Sequence, residues 1–213
     1  MYDTAKEFIA ALGIKMGAHI VDIGGGKGRF SSMLPELGYN ATLFDYRPER
    51  VVTGVDSRDC NLNGKWPAGD NEFDAAVSLE VIEHVENPRH FVREMLRIVK
   101  PGAHCLISTP NQLSVASKLC FLLRNQHQWF QDSCYPGHIA ALLEVDLQRI
   151  AREAKAVDPR IFYSGYGRVP GTRFSWQRMW RGFTGRKFSD NVFHGFGKSQ
   201  THEIAGAQSS HEK

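Results

Sequence analysis

The sequence predicts an α/β protein: one mostly parallel sheet with helices on both faces. Three observations carry that expectation. A short apolar run, His19-Ile20-Val21-Asp22-Ile23, leads straight into Gly24, Gly25, Gly26 and Gly28. Further strand-like runs alternate with a helical pattern. The chain has 213 residues and 42% hydrophobic content, enough for one full core.

Along the chain, Lys6 to Leu12 reads as a short helix, and His19 to Ile23 as a buried strand. A helix is expected from about Arg29 to Leu34, after the glycines. Ala41 to Phe44 forms a second strand ending at Asp45, and a weaker one is expected near Val55 to Cys60. Phe73 to Ser78 reads as the fourth strand. Pro88 to Val99 places Phe91, Val92, Met95, Leu96 and Val99 on one helical face, with proline favoured at the start. Pro101-Gly102 stops that helix, and Ala103 to Ser108 is the next strand. Beyond it, Val115 to Leu123 and Glu144 to Ala154 look helical. Arg160 to Tyr163 and Asn191 to Phe196 look like a closing antiparallel pair. Residues 1–198 are expected to form one domain, with insertions at 112–140 and 164–190. Residues 199–213 are polar and expected to be disordered.

Composition excludes several classes. No apolar run approaches the roughly 18 residues of a membrane span. Asp3, Lys6 and Glu7 interrupt the first residues, so no secretory signal is read there. Cys60, Cys105, Cys120 and Cys134 show no C-x-x-C spacing, which argues against a zinc ribbon and fits a reducing cytoplasm. The net charge of +3 is unevenly spread. Residues 160–198 hold eight basic side chains against Asp190 alone. Arg160, Arg168, Arg173, Arg178, Arg181, Arg186, Lys187 and Lys198 are interleaved there with Phe174, Trp176, Met179, Trp180 and Phe183. Trp with Arg suits a membrane–water interface, so a peripheral contact at the inner membrane face through 160–190 is expected. Edge cover for the sheet is the bland alternative.

The chemistry centres on Asp22-Ile23-Gly24-Gly25-Gly26-Lys27-Gly28. Ligands of open α/β sheets bind beyond the carboxyl ends of the strands, and glycines let backbone approach them. A dinucleotide fingerprint would need glycine where Arg29 stands. A P-loop would need Ser or Thr where Gly28 follows Lys27. Asp22 suits a cationic or amino-bearing ligand and would repel a pyrophosphate.

This stretch resembles motif I of the class I S-adenosylmethionine-dependent methyltransferases. The similarity continues through Asp45, Asn61-Leu62-Asn63 with Trp66-Pro67, Phe73-Asp74, Leu79-Glu80-Val81-Ile82-Glu83-His84-Val85 and Lys100-Pro101-Gly102. It covers about residues 19–111. The resemblance implies a Rossmann-like fold and S-adenosyl-L-methionine as cofactor. It implies binding by Asp22, Gly24, Gly26, Gly28, Asp45, Asn61, Leu62, Leu79 and Glu80. Asp45 would meet the ribose and Asn61 the adenine, although Asn61 stands where the family has aspartate. Gly25 replaces another small residue, a change expected to be harmless. Ser108 to Asn111, Ser114 to Arg124 and Gly137-His138-Ile139 resemble a subgroup of ubiquinone-type enzymes whose members often modify sugars or lipid-linked glycans.

His84 and His138 are the candidate catalytic residues, since imidazole can take a proton near neutral pH. Glu80, Glu83 and His84 would share one face if their segment is helical, but no metal site is assigned. The expected reaction is O-methylation of a saccharide or lipid-linked acceptor. A small aromatic or quinone-like acceptor is the alternative, and a non-catalytic cofactor-binding protein the rival. A nucleic-acid partner is not expected: the position after the fourth strand reads Ser78-Leu79-Glu80-Val81, not an N/D-P-P-Y motif.

Overall fold

The computed structural model describes residues 1–46 and 54–200. The elements run α1 (Tyr2–Ala11), β1 (His19–Ile23), α2 (Met33–Glu36), β2 (Asn40–Asp45), β3 (Val55–Asp59), β4 (Phe73–Leu79), α3 (Pro88–Ile98), β5 (Val99–Pro110), α4 (Val115–Arg124), α5 (Glu144–Glu153), β6 (Val157–Tyr163), α6 (Trp176–Met179) and β7 (Asn191–Gly197). The sheet order is β3-β2-β1-β4-β5-β7-β6. β1 to β5 pair with one another in parallel, and β7 runs antiparallel to both β5 and β6. Among the described residues, no helix is long and apolar enough to cross a membrane.

Strand periodicity builds two cores. Val21 and Ile23 of β1 join Ala76, Cys105 and Ile107 beneath α3 and α5. Ile20 points the other way and joins Ala75, Val77 and Leu106 beneath α1 and α2. Alternating side chains on strands buried on both faces require this division. Asn87 caps α3 by accepting the His90 N–H at 3.0 Å, and Pro88 follows as its first residue. Phe91, Val92 and Met95 then reach the sheet, each buried.

The chain leaves β1 for β2 on one side and reaches β4 on the other. That divergence opens a crevice at the carboxyl ends of β1 and β4, the usual ligand position in such sheets.

Several boundaries depart from the sequence reading. α1 starts at Tyr2 rather than Lys6. The helix expected over 29–34 is replaced by turns, and only Met33–Glu36 is helical. Gly24, Gly26 and Gly28 all take left-handed φ, so the chain is still turning when it passes Phe30. β5 begins at Val99, directly after α3, so Pro101-Gly102 lies within the strand. Gly102 has φ +80°, and the pairing with β4 slips between Phe73 and Ala75, so the irregularity is absorbed as a bulge. β6 starts at Val157, three residues before Arg160, with a similar irregularity around Asp158. The tail beyond residue 200 lies outside the described residues.

Candidate active site

Asp22, at the end of β1, is 1% exposed and accepts a hydrogen bond from Ser31 Oγ. Burial pushes its carboxyl up to about 6. The glycine loop wraps around it. A Cβ at residue 25 would lie 2.3 Å from Asp22 Oδ2 and 2.6 Å from Leu43 Cδ1. A side chain at residue 25 would thus have to displace the ends of these two buried side chains. A Cβ on Gly26 would meet nothing within 4 Å, because that face of the loop is open. The Gly26 N–H donates to Asp45 Oδ2 at 2.6 Å, tying the loop to the end of β2. Gly28 stands behind the loop with its N–H on Gly25 O.

Two adjoining clefts share Gly24 and Glu80. One, about 410 Å³, is lined by Asp45, Asn61, Leu62, Val81, His84 and Val85 among others. The second, about 380 Å³, is lined by Tyr2, Asp22, Gly26, Lys27, Arg29 and Leu79 among others. The sequence-predicted cofactor residues therefore converge, with Gly28 alone supporting from outside the lining. The Asn61 side-chain oxygen already accepts the Asn63 N–H at 3.0 Å, so any adenine contact would share that oxygen. A larger open cleft, about 500 Å³, lies at the other end of the central strands, near the starts of β4 and β5. Lys198 belongs there, bonded to Asn71 and the Val99 carbonyl, and not with the basic segment to which the sequence assigns it.

The pair of clefts fits S-adenosylmethionine. The first cleft, with Leu62, Val81 and Val85 on its walls and Asp45 and Asn61 beside them, suits an adenosine. The second offers a buried carboxylate for an ammonium, and Lys27 and Arg29 for a carboxylate. Both charges of an amino acid are thus matched.

Glu80 is not helical. Its φ is +58°, and its oxygens accept from Ser108 Oγ at 2.7 Å and Asn191 Nδ2 at 2.8 Å. Asn191 comes from β7, and no local pattern in the sequence could connect it with Glu80. Sequence reasoning misses Tyr2 as well. It lines the second cleft from α1, with the Arg29 guanidinium 5.2 Å from its ring centre.

Ile82–His84 forms a single 3-10 turn. His84 Nδ1 lies 2.7 Å from Gly137 O, and His138 Nδ1 lies 2.6 Å from Trp129 O. A carbonyl can only accept, so each Nδ1 carries the proton and each neutral ring keeps its lone pair on Nε2. The two rings meet edge-on, 4.7 Å apart. Burial holds His138 below the usual imidazole range. Glu83 is fully buried, and neither of its carboxylate oxygens has a hydrogen-bond partner among the described residues. Burial, and secondarily the Glu80 charge, raise it well above the carboxylate range. Ligand atoms of Glu83, His84 and His138 all lie within 4.8 Å of one another, close enough to hold a divalent cation. That grouping replaces the Glu80–Glu83–His84 face considered from sequence.

The insertions meet at the same edge. Val115 N–H bonds Lys187 O, and the Asn111 side chain donates to Arg186 O and Ser189 O. Trp176 is half-buried and packs against Phe183 and Phe188 in a small aromatic cluster. His127 stacks on Phe121, and Trp129 lies under Arg168.

The profile of the methyltransferase domain family matches residues 1–155. A ubiquinone biosynthesis O-methyltransferase of Xanthomonas oryzae pv. oryzae is 30% identical over 146 residues. That match covers 60% of this chain and 61% of the relative, so the chain spans about three fifths of its length. A methyltransferase structure from Archaeoglobus fulgidus superimposes with a TM-score of 0.64 at 14% identity, covering 93% of this chain and 95% of that one. Phosphoethanolamine N-methyltransferase 2 of Haemonchus contortus, in complex with S-adenosyl-L-methionine, gives 0.58 at 16%, covering 92% and 53%. With the glycine loop, the acid at the end of β2 and the seven-stranded sheet, these matches establish that the chain belongs to the class I S-adenosylmethionine-dependent methyltransferases.

Proposed function

We propose that this chain methylates a hydroxyl oxygen on a small aromatic, quinone-like acceptor. The observation that carries the reading is the position of His84. It lines the same cleft as Asp45 and Asn61, and its Nε2, 4.0 Å from the buried Glu83 carboxyl, carries the lone pair that can take a proton. The name of the Xanthomonas relatives favours a quinone-like acceptor over the saccharide or lipid-linked one expected from sequence.

When bound, S-adenosylmethionine supplies an activated methyl group. The chain's residues align and deprotonate. Asp22, Gly24, Gly26 and Asp45 hold the donor, with Asn61, Leu62, Leu79 and Glu80 completing its walls. His84 accepts the hydroxyl proton at Nε2, while Gly137 O fixes its tautomer. His138, held by Trp129 O, packs against His84 and lines the acceptor side. Residues 112–140 and 164–190 are taken as the acceptor-side insertions. Through 160–190 the enzyme would touch an anionic membrane face, where a lipid-soluble acceptor resides.

The test is transfer of labelled methyl to a catechol-type quinone precursor, with a sugar acceptor as the competing arm. His84→Asn is expected to lower kcat by about 10²–10⁴-fold, the usual worth of a general base. Transfer only to the sugar, or full activity in the variant, would overturn the assignment. The unpartnered Glu83 oxygens favour a second reading, a divalent cation held by Glu83, His84 and His138. Activity lost to a chelator and restored by a divalent salt would select it.

A further inference from the structure

We infer that α4 is a lipid-anchoring helix, whose outward leucines insert shallowly into an anionic bilayer beside the basic segment. This rests on the membrane reading of residues 160–190, but names a different element as the anchor.

α4 is inverted relative to an ordinary surface helix. Its small residues Ala116 and Ser117 face inward and are buried. Leu119, Leu122 and Leu123 face outward, 42%, 76% and 82% exposed. Their spacing of three and four places them on one stripe. Phe121 differs, since it stacks on His127 at 5.0 Å. Both helix ends are settled locally. Ser114 Oγ accepts the Ser117 N–H, and Asn125 closes the C-terminus in the left-handed conformation. The leucines therefore contribute nothing visible to holding the helix in place.

Charge identifies the occupant. Residues 112–140 and 164–190 together contain eight Lys and Arg against Asp132 and Asp190. The backbone bond from Val115 to Lys187, and those from Asn111 to Arg186 and Ser189, join the two stretches at one edge of the sheet. Phe174, Met179 and Trp180 are also exposed there, at 52–64%. A second copy docking symmetrically would set cations against cations, which is repulsive. An anionic leaflet answers both features: apolar depth for the leucines, and headgroups for Lys118, Arg124, Arg173, Arg178 and Arg181, whereas Arg186 is held by Glu144. A ten-residue helix is about 15 Å long, half the hydrocarbon thickness, so it lies in the interface and does not cross it. The loop after α4 carries Trp129 and His138, so anchoring there would turn the acceptor side of the site toward the lipid.

Co-sedimentation with phosphatidylglycerol–phosphatidylcholine vesicles tests this, with pure phosphatidylcholine as control. The wild type should pellet with the anionic vesicles only, and less as salt rises. Leu122→Gln with Leu123→Gln should weaken partitioning by about tenfold or more. Cofactor binding by calorimetry should not change, which shows that the variant is folded. Trp180→Ala probes the other stretch. If the wild type stays in solution with anionic vesicles, the membrane reading fails, and this inference with it. If the wild type and the leucine variant pellet equally while Trp180→Ala is released, the membrane reading survives and the α4 assignment is wrong. If the leucine variant only converts a dimer to a monomer in sedimentation velocity, the stripe is a self-association surface and the inference is overturned. Methyl transfer enters none of these arms, so failure here is separate from failure of the proposed reaction.

Discussion

Gly25 and Gly26 are adjacent, yet substitution at each should fail differently. Gly25→Ala drives its Cβ into the side chains of Asp22 and Leu43, both buried, which must shift to make room. A loss of about 1–3 kcal/mol of stability is expected, together with cofactor affinity, read by denaturant unfolding and calorimetry. Gly26→Ala has room for its Cβ and bears only the left-handed φ, a cost of roughly 1 kcal/mol. It should stay folded yet bind cofactor poorly, since its methyl occupies the open face of the loop. Asp22 adds a pH dependence. Its carboxyl is raised to about 6, so the ionised form that accepts an ammonium is lost as pH falls through that value. Cofactor affinity should therefore weaken below about pH 6, and Asp22→Asn should be weak and flat across the range. Stability of the cofactor-free protein should move the opposite way. A carboxyl raised on folding binds more protons folded than unfolded, so this group's contribution falls as pH rises from about 4 to about 6. The residues that line the two clefts are legible in the sequence because glycines and acids at strand ends must be local. Asn191, which holds Glu80 from 111 residues away, is not.

The helix expected over 29–34 does not form because three left-handed glycines keep the chain turning, a cost that apolar periodicity does not register. α3 is legible nearly to the residue, because its cap, its proline and its apolar face all agree. Asn87→Ala should cost about 1 kcal/mol through the lost cap. Phe91→Ala should cost about 3–5 kcal/mol through the cavity left against the sheet. Thermal unfolding distinguishes the two, and neither should alter the relative rates with different acceptors. The basic segment is broken by glycines, with α6 its sole helix among the described residues. The inward turn of Trp176 is invisible in sequence, because its partners Phe183 and Phe188 carry no period that marks them as a cluster.

At the scale of the whole molecule, both clefts are lined by residues up to Val85, and the proposed acceptor side lies in the residues beyond β5. Donor recognition demands fixed backbone, which leaves motifs, whereas acceptor pockets are built from long-range side-chain meetings. The β7 strand joins these two parts, pairing with β5 from His104 to Pro110 and supplying Asn191 to Glu80. Synthesis proceeds from the N-terminus, so β1 to β5 leave the ribosome while β7 is still unmade. Until it arrives, β5 is an open edge with unpaired amides and carbonyls, an invitation to stray strand pairing. One oxygen of Glu80 also waits without its donor. Nascent chains arrested shortly after residue 155 would thus carry the whole glycine loop yet be sticky and poorly competent for cofactor. The same chains arrested well beyond residue 197 should bind it and resist protease. Completion of the cleft is in this sense a late event in the life of each molecule, timed by the strand that is added last, between β5 and β6.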